Sequence, residues 1–114
     1  MQVFYHLIYE FQKGIRNLVL CTDKTENMEK IETRLKKEKI KYLIHKISKD
    51  KINVYFGHKL CLEVVETFGT TKLNELDDKQ DFMLGIMLGY DRIQQCDRYL
   101  KKSNKTKQIE ALAS

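Results

Sequence analysis

The chain has 114 residues, 42% of them hydrophobic and 32% charged, with a formal net charge of +5; this is the balance of a water-soluble globular protein, too short to house a second core. Its longest apolar run is about half the ~20 residues that a membrane span needs, and Met1 to His6 has no basic segment ahead of its apolar residues. Neither a transmembrane helix nor a secretory signal is therefore expected, and the location expected is cytoplasmic. The cysteines are Cys21, Cys61 and Cys96, with no C-x-x-C pair, which argues against a disulfide framework, a zinc knuckle or a thioredoxin-like site.

Val3 to Lys13 carries two signals. Its aromatic and branched residues suit a strand. Phe4, Ile8, Phe11 and Ile15, however, recur on one helical face, with His6, Glu10 and Lys13 on the other. Lys13-Gly14 also has the form of a helix end closed by a left-handed glycine, and the helix reading is adopted. Asn17 to Thr22 is a short apolar run suited to a central strand. Glu26 to Lys39 follows as a helix, opened by Asp23 or Thr25, with Met28, Ile31 and Leu35 on its buried stripe. Lys41 to Ser48 and Ile52 to Phe56 read as a β-hairpin turning at Lys49-Asp50-Lys51. His58 to Phe68 reads as a short helix with Leu60 or Cys61, Val64, Val65 and Phe68 inward, and Gly69-Thr70-Thr71 breaks it. After one further helical turn at Leu73 to Leu76, Asp77 or Asp78 opens a long last helix running to about Lys102, its carboxylates at the positive end of the helix dipole. The fold class is α+β: a three-stranded sheet built from strand, helix and β-hairpin, with helices packed on it and a long C-terminal helix. Residues 1–102 are expected to form a single domain and 103–114 a flexible C-terminal tail.

Asp81 to Tyr90 is the least polar stretch of the chain and holds Gly85 and Gly89 inside the expected helix. Each glycine costs about 1 kcal/mol relative to alanine in a helix interior, so another backbone should approach there. On one continuous helix the packing face would comprise Phe82, Gly85, Ile86, Gly89 and Ile93. It would meet either the protein's own sheet and first helix or a second copy in a symmetric homodimer, and both readings stay open.

Few residues point to chemistry. His6 and Glu10 lie four apart on one helical face, but two ligands are too few for a metal, and none is expected. Cys96 sits one turn from Arg92, whose charge favours a thiolate; a cysteine on an apolar stripe is more often core. His45 on a strand face and His58 at a helix start read as structural. There is no phosphate-binding glycine loop, ribonucleoprotein-type motif or helix-turn-helix spacing, so no cofactor is expected and a non-enzymatic role is favoured. The alternative is a small-molecule-binding protein or enzyme in which His6, Glu10, Arg16, Arg92, Cys96 and Arg98 line a site at a dimer seam; a concave pocket where they converge would distinguish it.

Charge is unevenly spread. Residues 24–51 hold ten Lys/Arg against five Asp/Glu, whereas residues 63–98 hold eight Asp/Glu against four Lys/Arg. The expected basic face centres on Lys36, Lys37, Lys39 and Lys41, and it suits an acidic partner. Nucleic acid is disfavoured as that partner by the acidic half and the missing motif.

Three segments carry a family resemblance: Tyr9 to Leu20, Asn53 to Gly57 followed by Cys61, and Asp81 to Tyr90 followed by Gln95-Cys96 and Arg98-Tyr99. With them the chain resembles a small bacterial family of uncharacterised proteins, the domain of unknown function number two thousand and twenty-three. The resemblance covers nearly the whole chain up to the tail. It implies a compact homodimer of three strands and several helices, and no assigned activity. It also implies a setting near flavodoxins, which makes an acidic, flavin-carrying protein of that kind the expected partner of the basic face.

Overall fold

A computed structural model describes the backbone of residues 1–113 and the side chains of residues 1–104. The elements are α1 (Gln2–Gln12), β1 (Leu18–Lys24), a 3-10 turn (Thr25–Asn27), α2 (Met28–Lys37), β2 (Lys41–Lys46), β3 (Lys51–Gly57), α3 (Lys59–Glu66), a second 3-10 turn (Leu73–Glu75), α4 (Asp78–Met87) and α5 (Arg92–Ala113). The expected tail falls mostly on residues 105–114, outside the described side chains.

The three strands form one antiparallel sheet in the order β1-β3-β2. Strand alternation sends successive side chains to opposite faces, and both faces are covered. On the first, Val19, Cys21, Ile52, Val54 and Phe56 meet Phe4 and Ile8 of α1 and Ile31 and Leu35 of α2. On the second, Leu18 and Tyr55 meet Leu62, Val65 and Phe68 from α3 and its end, with Leu84 and Leu88 from α4 and its end. The protein is thus a helix–sheet–helix sandwich of the α+β class.

The first segment is a helix, closed at Gly14 with a φ of 76°. Phe4 and Ile8 are buried as its periodicity predicts, while Ile15 lies past the helix end and is exposed. The run from Asn17 is an edge strand, not a central one. β3 takes the centre because every residue from Ile52 to Gly57 is buried, and so can be covered on both faces, whereas β1 turns polar at Thr22. In the first turn of α3 Leu62 is buried and the half-buried Cys61 packs against the same core, with Leu60 facing solvent. His58 caps this helix, its Nδ1 accepting from the Leu60 N–H at 3.1 Å.

The largest departure from the sequence reading is the last helix, which is two. α4 opens with Asp77, whose carboxylate accepts from the Gln80 N–H while Gln80 reaches back to the Asp77 N–H, a capping box. It closes at Gly89, with φ of 82°. The Gly89 N–H donates to the Ile86 carbonyl at 3.0 Å and the Tyr90 N–H to the Gly85 carbonyl at 3.1 Å, the paired bonds of a Schellman end. Asp91 then caps α5, accepting from the Gln94 N–H at 2.9 Å. The chain doubles back, so the single glycine stripe does not exist. Gly85 lies inside α4 and Gly89 is the turn.

Candidate functional site

The residues singled out above separate into four places. The first is a clasp between α1 and the end of α4. His6 Nε2 lies 2.7 Å from Glu10 Oε1, and Arg16 Nε lies 2.6 Å from Glu10 Oε2. Arg16 also donates to the Leu88 carbonyl at 3.2 Å. The Arg16 hydrogen bond, with help from His6, holds the Glu10 carboxyl below the usual carboxylate range. Both carboxylate oxygens are engaged, so this trio ties helices together and presents no free base.

The second place is the seam of the α4–α5 hairpin. Arg98 donates to both oxygens of Asp81, at 2.9 and 3.2 Å, and Lys102 lies 3.4 Å from the same carboxylate. The rings of Phe82 and Tyr99 meet at 5.5 Å. Gly85 is buried, and a Cβ there would overlap Gln95 Oε1. The close approach that the glycine signals is therefore made by the protein's own next helix. Beside the seam, Leu20, Leu84, Leu88 and Tyr90 border a groove of about 650 Å³ whose rim carries Asp81 and Arg98.

The third place is the outer side of α5, where Arg92, Ile93 and Cys96 are exposed, Ile93 to 77%. Within one chain the six candidate seam residues stand apart: His6, Glu10 and Arg16 form the clasp, Arg98 the hairpin seam, and Arg92 and Cys96 face outward. Among the described residues no group of three or more His, Cys, Asp or Glu is placed to hold a metal.

The fourth place is the basic face. Lys36, Lys39 and Lys41, with Ile40 and Tyr42, border a shallow hollow of about 400 Å³ where α2 turns into β2. Lys39 makes that turn in the left-handed region, with φ of 58°. Lys36 is 3.6 Å from Glu32, whereas Lys37, Lys39 and Lys41 are exposed and have no ion pair among the described residues.

One constellation escaped the sequence reading. Thr22, Asn53 and His45 occupy one row across the sheet, since Asn53 pairs in register with both of the others. Asn53 is a polar residue inside the otherwise apolar buried run of β3, which is a readable signal, but only the register shows that the three are neighbours.

A family model described as a protein of unknown function, DUF2023, matches residues 2–102. The chain belongs to that family. No curated protein matches it. Membership in DUF2023 agrees with the expected resemblance and brings no activity with it. No helix among the described residues of this DUF2023 chain is long and apolar enough to cross a membrane.

The hairpin seam has a pH signature. The Arg98 hydrogen bond, reinforced by Lys102, holds the Asp81 carboxyl below its ordinary range. A carboxyl whose folded pKa lies below its unfolded value, about 3.9, contributes stability that is fully present above that value and lost as pH falls through the folded pKa. Asp81→Asn should therefore cost under about 1 kcal/mol at neutral pH, because the pair is partly exposed. The gap in melting temperature between the two proteins should close below about pH 4. Melting curves at about pH 7, 5 and 3 check this; a gap that widens in acid would contradict it.

Proposed function

We propose that the protein is a homodimeric protein-interaction module whose basic face binds an acidic protein, such as a flavodoxin. The observation that carries this reading is the cluster of Lys37, Lys39 and Lys41, exposed and without ion pairs among the described residues at the α2–β2 turn. Cations near a helix C-terminus are favoured by its dipole, but Lys39 and Lys41 lie beyond α2 on the turn and the next strand. A patch of one sign at this density raises the encounter rate with an oppositely charged protein. The engagement of both Glu10 oxygens in the clasp supports a binding role over a catalytic one there. The homodimer part is supported by the outer face of α5, where Ile93 is 77% and Leu100 56% exposed, two turns apart on one side.

The test is binding to a purified flavodoxin, used as the acidic probe, at low and at raised salt. Exposed charges are screened beyond about 10 Å at 0.1 M salt, so affinity should fall steeply as salt rises. The variant carrying Lys37→Glu, Lys39→Glu and Lys41→Glu should bind about tenfold more weakly or worse, from charge reversal at the contact. Sedimentation of the free protein should give twice the 13.6 kDa chain mass. Absence of binding at low salt, or binding to duplex DNA but not to the acidic protein, would overturn the docking reading. A monomer at high concentration would overturn the homodimer.

A further inference from the structure

We propose that the sheet carries a binding site for a small organic anion, centred on Asn53 and His45. It is independent of the basic face and of the dimer. The helices α3 and α4 cover one end of the second sheet face. The other end lies under the segment around Lys72 to Asn74, and between them is a hollow of about 630 Å³. That volume falls within the range of about 300–1,000 Å³ typical of small-molecule sites.

The floor of the hollow is the row of Thr22, Asn53 and His45. Asn53 is a buried polar residue of the core, 4% exposed in the middle of the central strand. Thr22 Oγ1 donates to Asn53 Oδ1 at 2.6 Å, which orients the amide and fixes its Nδ2 as the outward donor. No protein acceptor meets that Nδ2 among the described residues. His45 Nδ1 is likewise buried with no hydrogen-bond partner. Buried polar groups in folded proteins are nearly always paired, so the unpartnered His45 Nδ1, on the residue in register with an Asn53 amide whose Nδ2 makes no protein hydrogen bond, marks a place for a partner from outside.

The lining indicates what kind. It includes Lys46 and Lys72 and contains no Asp or Glu. Lys72 lies 3.5 Å from Glu75, but both side chains are at least half exposed, so the pair is readily exchanged. Ile47 and Leu73 supply an apolar wall. An amide donor at the floor, cations at the rim and one greasy side fit an oxyanion head, carboxylate or phosphate, on a small organic body.

The test is an NMR titration of the full chain, labelled with 15N, with inorganic phosphate and separately with butyrate. Saturable shifts are expected at the amides of Thr22, His45, Asn53 and Leu73 and at the Asn53 side-chain amide, with the responding probe identifying the head group. Asn53→Asp, which removes the donor and adds like charge, should weaken binding at least tenfold. Lys72→Glu alters only an exposed rim position and should weaken it about threefold or more, which keeps the test valid should Asn53→Asp fail to fold. The proposal is overturned if neither anion gives saturable shifts up to about 20 mM, if the shifts instead follow Lys37, Lys39 and Lys41, or if Lys72→Glu binds as the parent does.

Discussion

Gly57→Ala is expected to destabilise the protein by about 3 kcal/mol or more, combining backbone strain and overpacking of about 1–3 kcal/mol each. Gly57 closes the central strand with a φ of 146°, a conformation that L side chains rarely adopt. A Cβ there would overlap the Asn17 carbonyl oxygen and sit 3.1 Å from the Asn17 carbonyl carbon and from Leu18 Cα. These are backbone atoms, so no side chain can swing aside to make room. The same Asn17 carbonyl accepts from the His58 N–H at 2.8 Å, which links the start of β1 to the entry of α3. Relieving the clash would pull that link apart along with the Leu18–Gly57 end of the ladder. For a domain of this size 3 kcal/mol corresponds to a fall in melting temperature of about 12 °C. Urea denaturation with an unchanged slope and a lowered midpoint would bear this out; a loss below about 0.5 kcal/mol would show that the end of the sheet tolerates a side chain.

Phe56→Ala should cost about 4 kcal/mol, within the range for deleting a buried aromatic ring. Phe56 is fully buried on β3. Its ring meets Phe4 edge-on at 5.8 Å and Phe11 at 6.3 Å, so it helps hold α1 to the sheet. Aromatic pairs of this geometry contribute about 0.5–1.5 kcal/mol beyond the area they bury. Because the total stability of a small domain is about 5–15 kcal/mol, this one deletion should leave the fold close to its limit. Phe56→Leu keeps most of the volume and should cost under about 1.5 kcal/mol by comparison. Chemical denaturation of both variants separates the cavity effect from simple loss of the aromatic ring. Equal losses in the two would show that the pairings with Phe4 and Phe11, not the filled volume, hold α1.

Both sites differ in how far they could be read beforehand. The helical period through Phe4, Ile8 and Phe11, the buried stripe of Ile31 and Leu35, and the alternation in the hairpin are local patterns, and each maps onto an observed element. The Asp77 cap and the glycine end of α1 were legible for the same reason, since a cap depends on residues only a few positions apart. Gly85 and Gly89 were legible as unusual but not as different. Four residues apart, they share a helical face only if the helix continues, and the left-handed turn at Gly89 ends it. The candidate residues Arg92, Cys96 and Arg98 are grouped with His6, Glu10 and Arg16 as the lining of a dimer seam, and within one chain they stand in three separate places.

What the sequence by itself determined is the elements up to the last helix, their class and the buried face of most of them, because hydrophobic period and capping chemistry act over one or two turns of chain. It also marked the basic segment around Lys36 to Lys41, because charge is a property of composition. The tertiary structure decided which strand is central and which polar residues stand side by side. These depend on pairing between segments far apart in sequence. Asn53 meets Thr22 and His45 only through the register of three strands, and Gly57 is indispensable only because Asn17 packs against it.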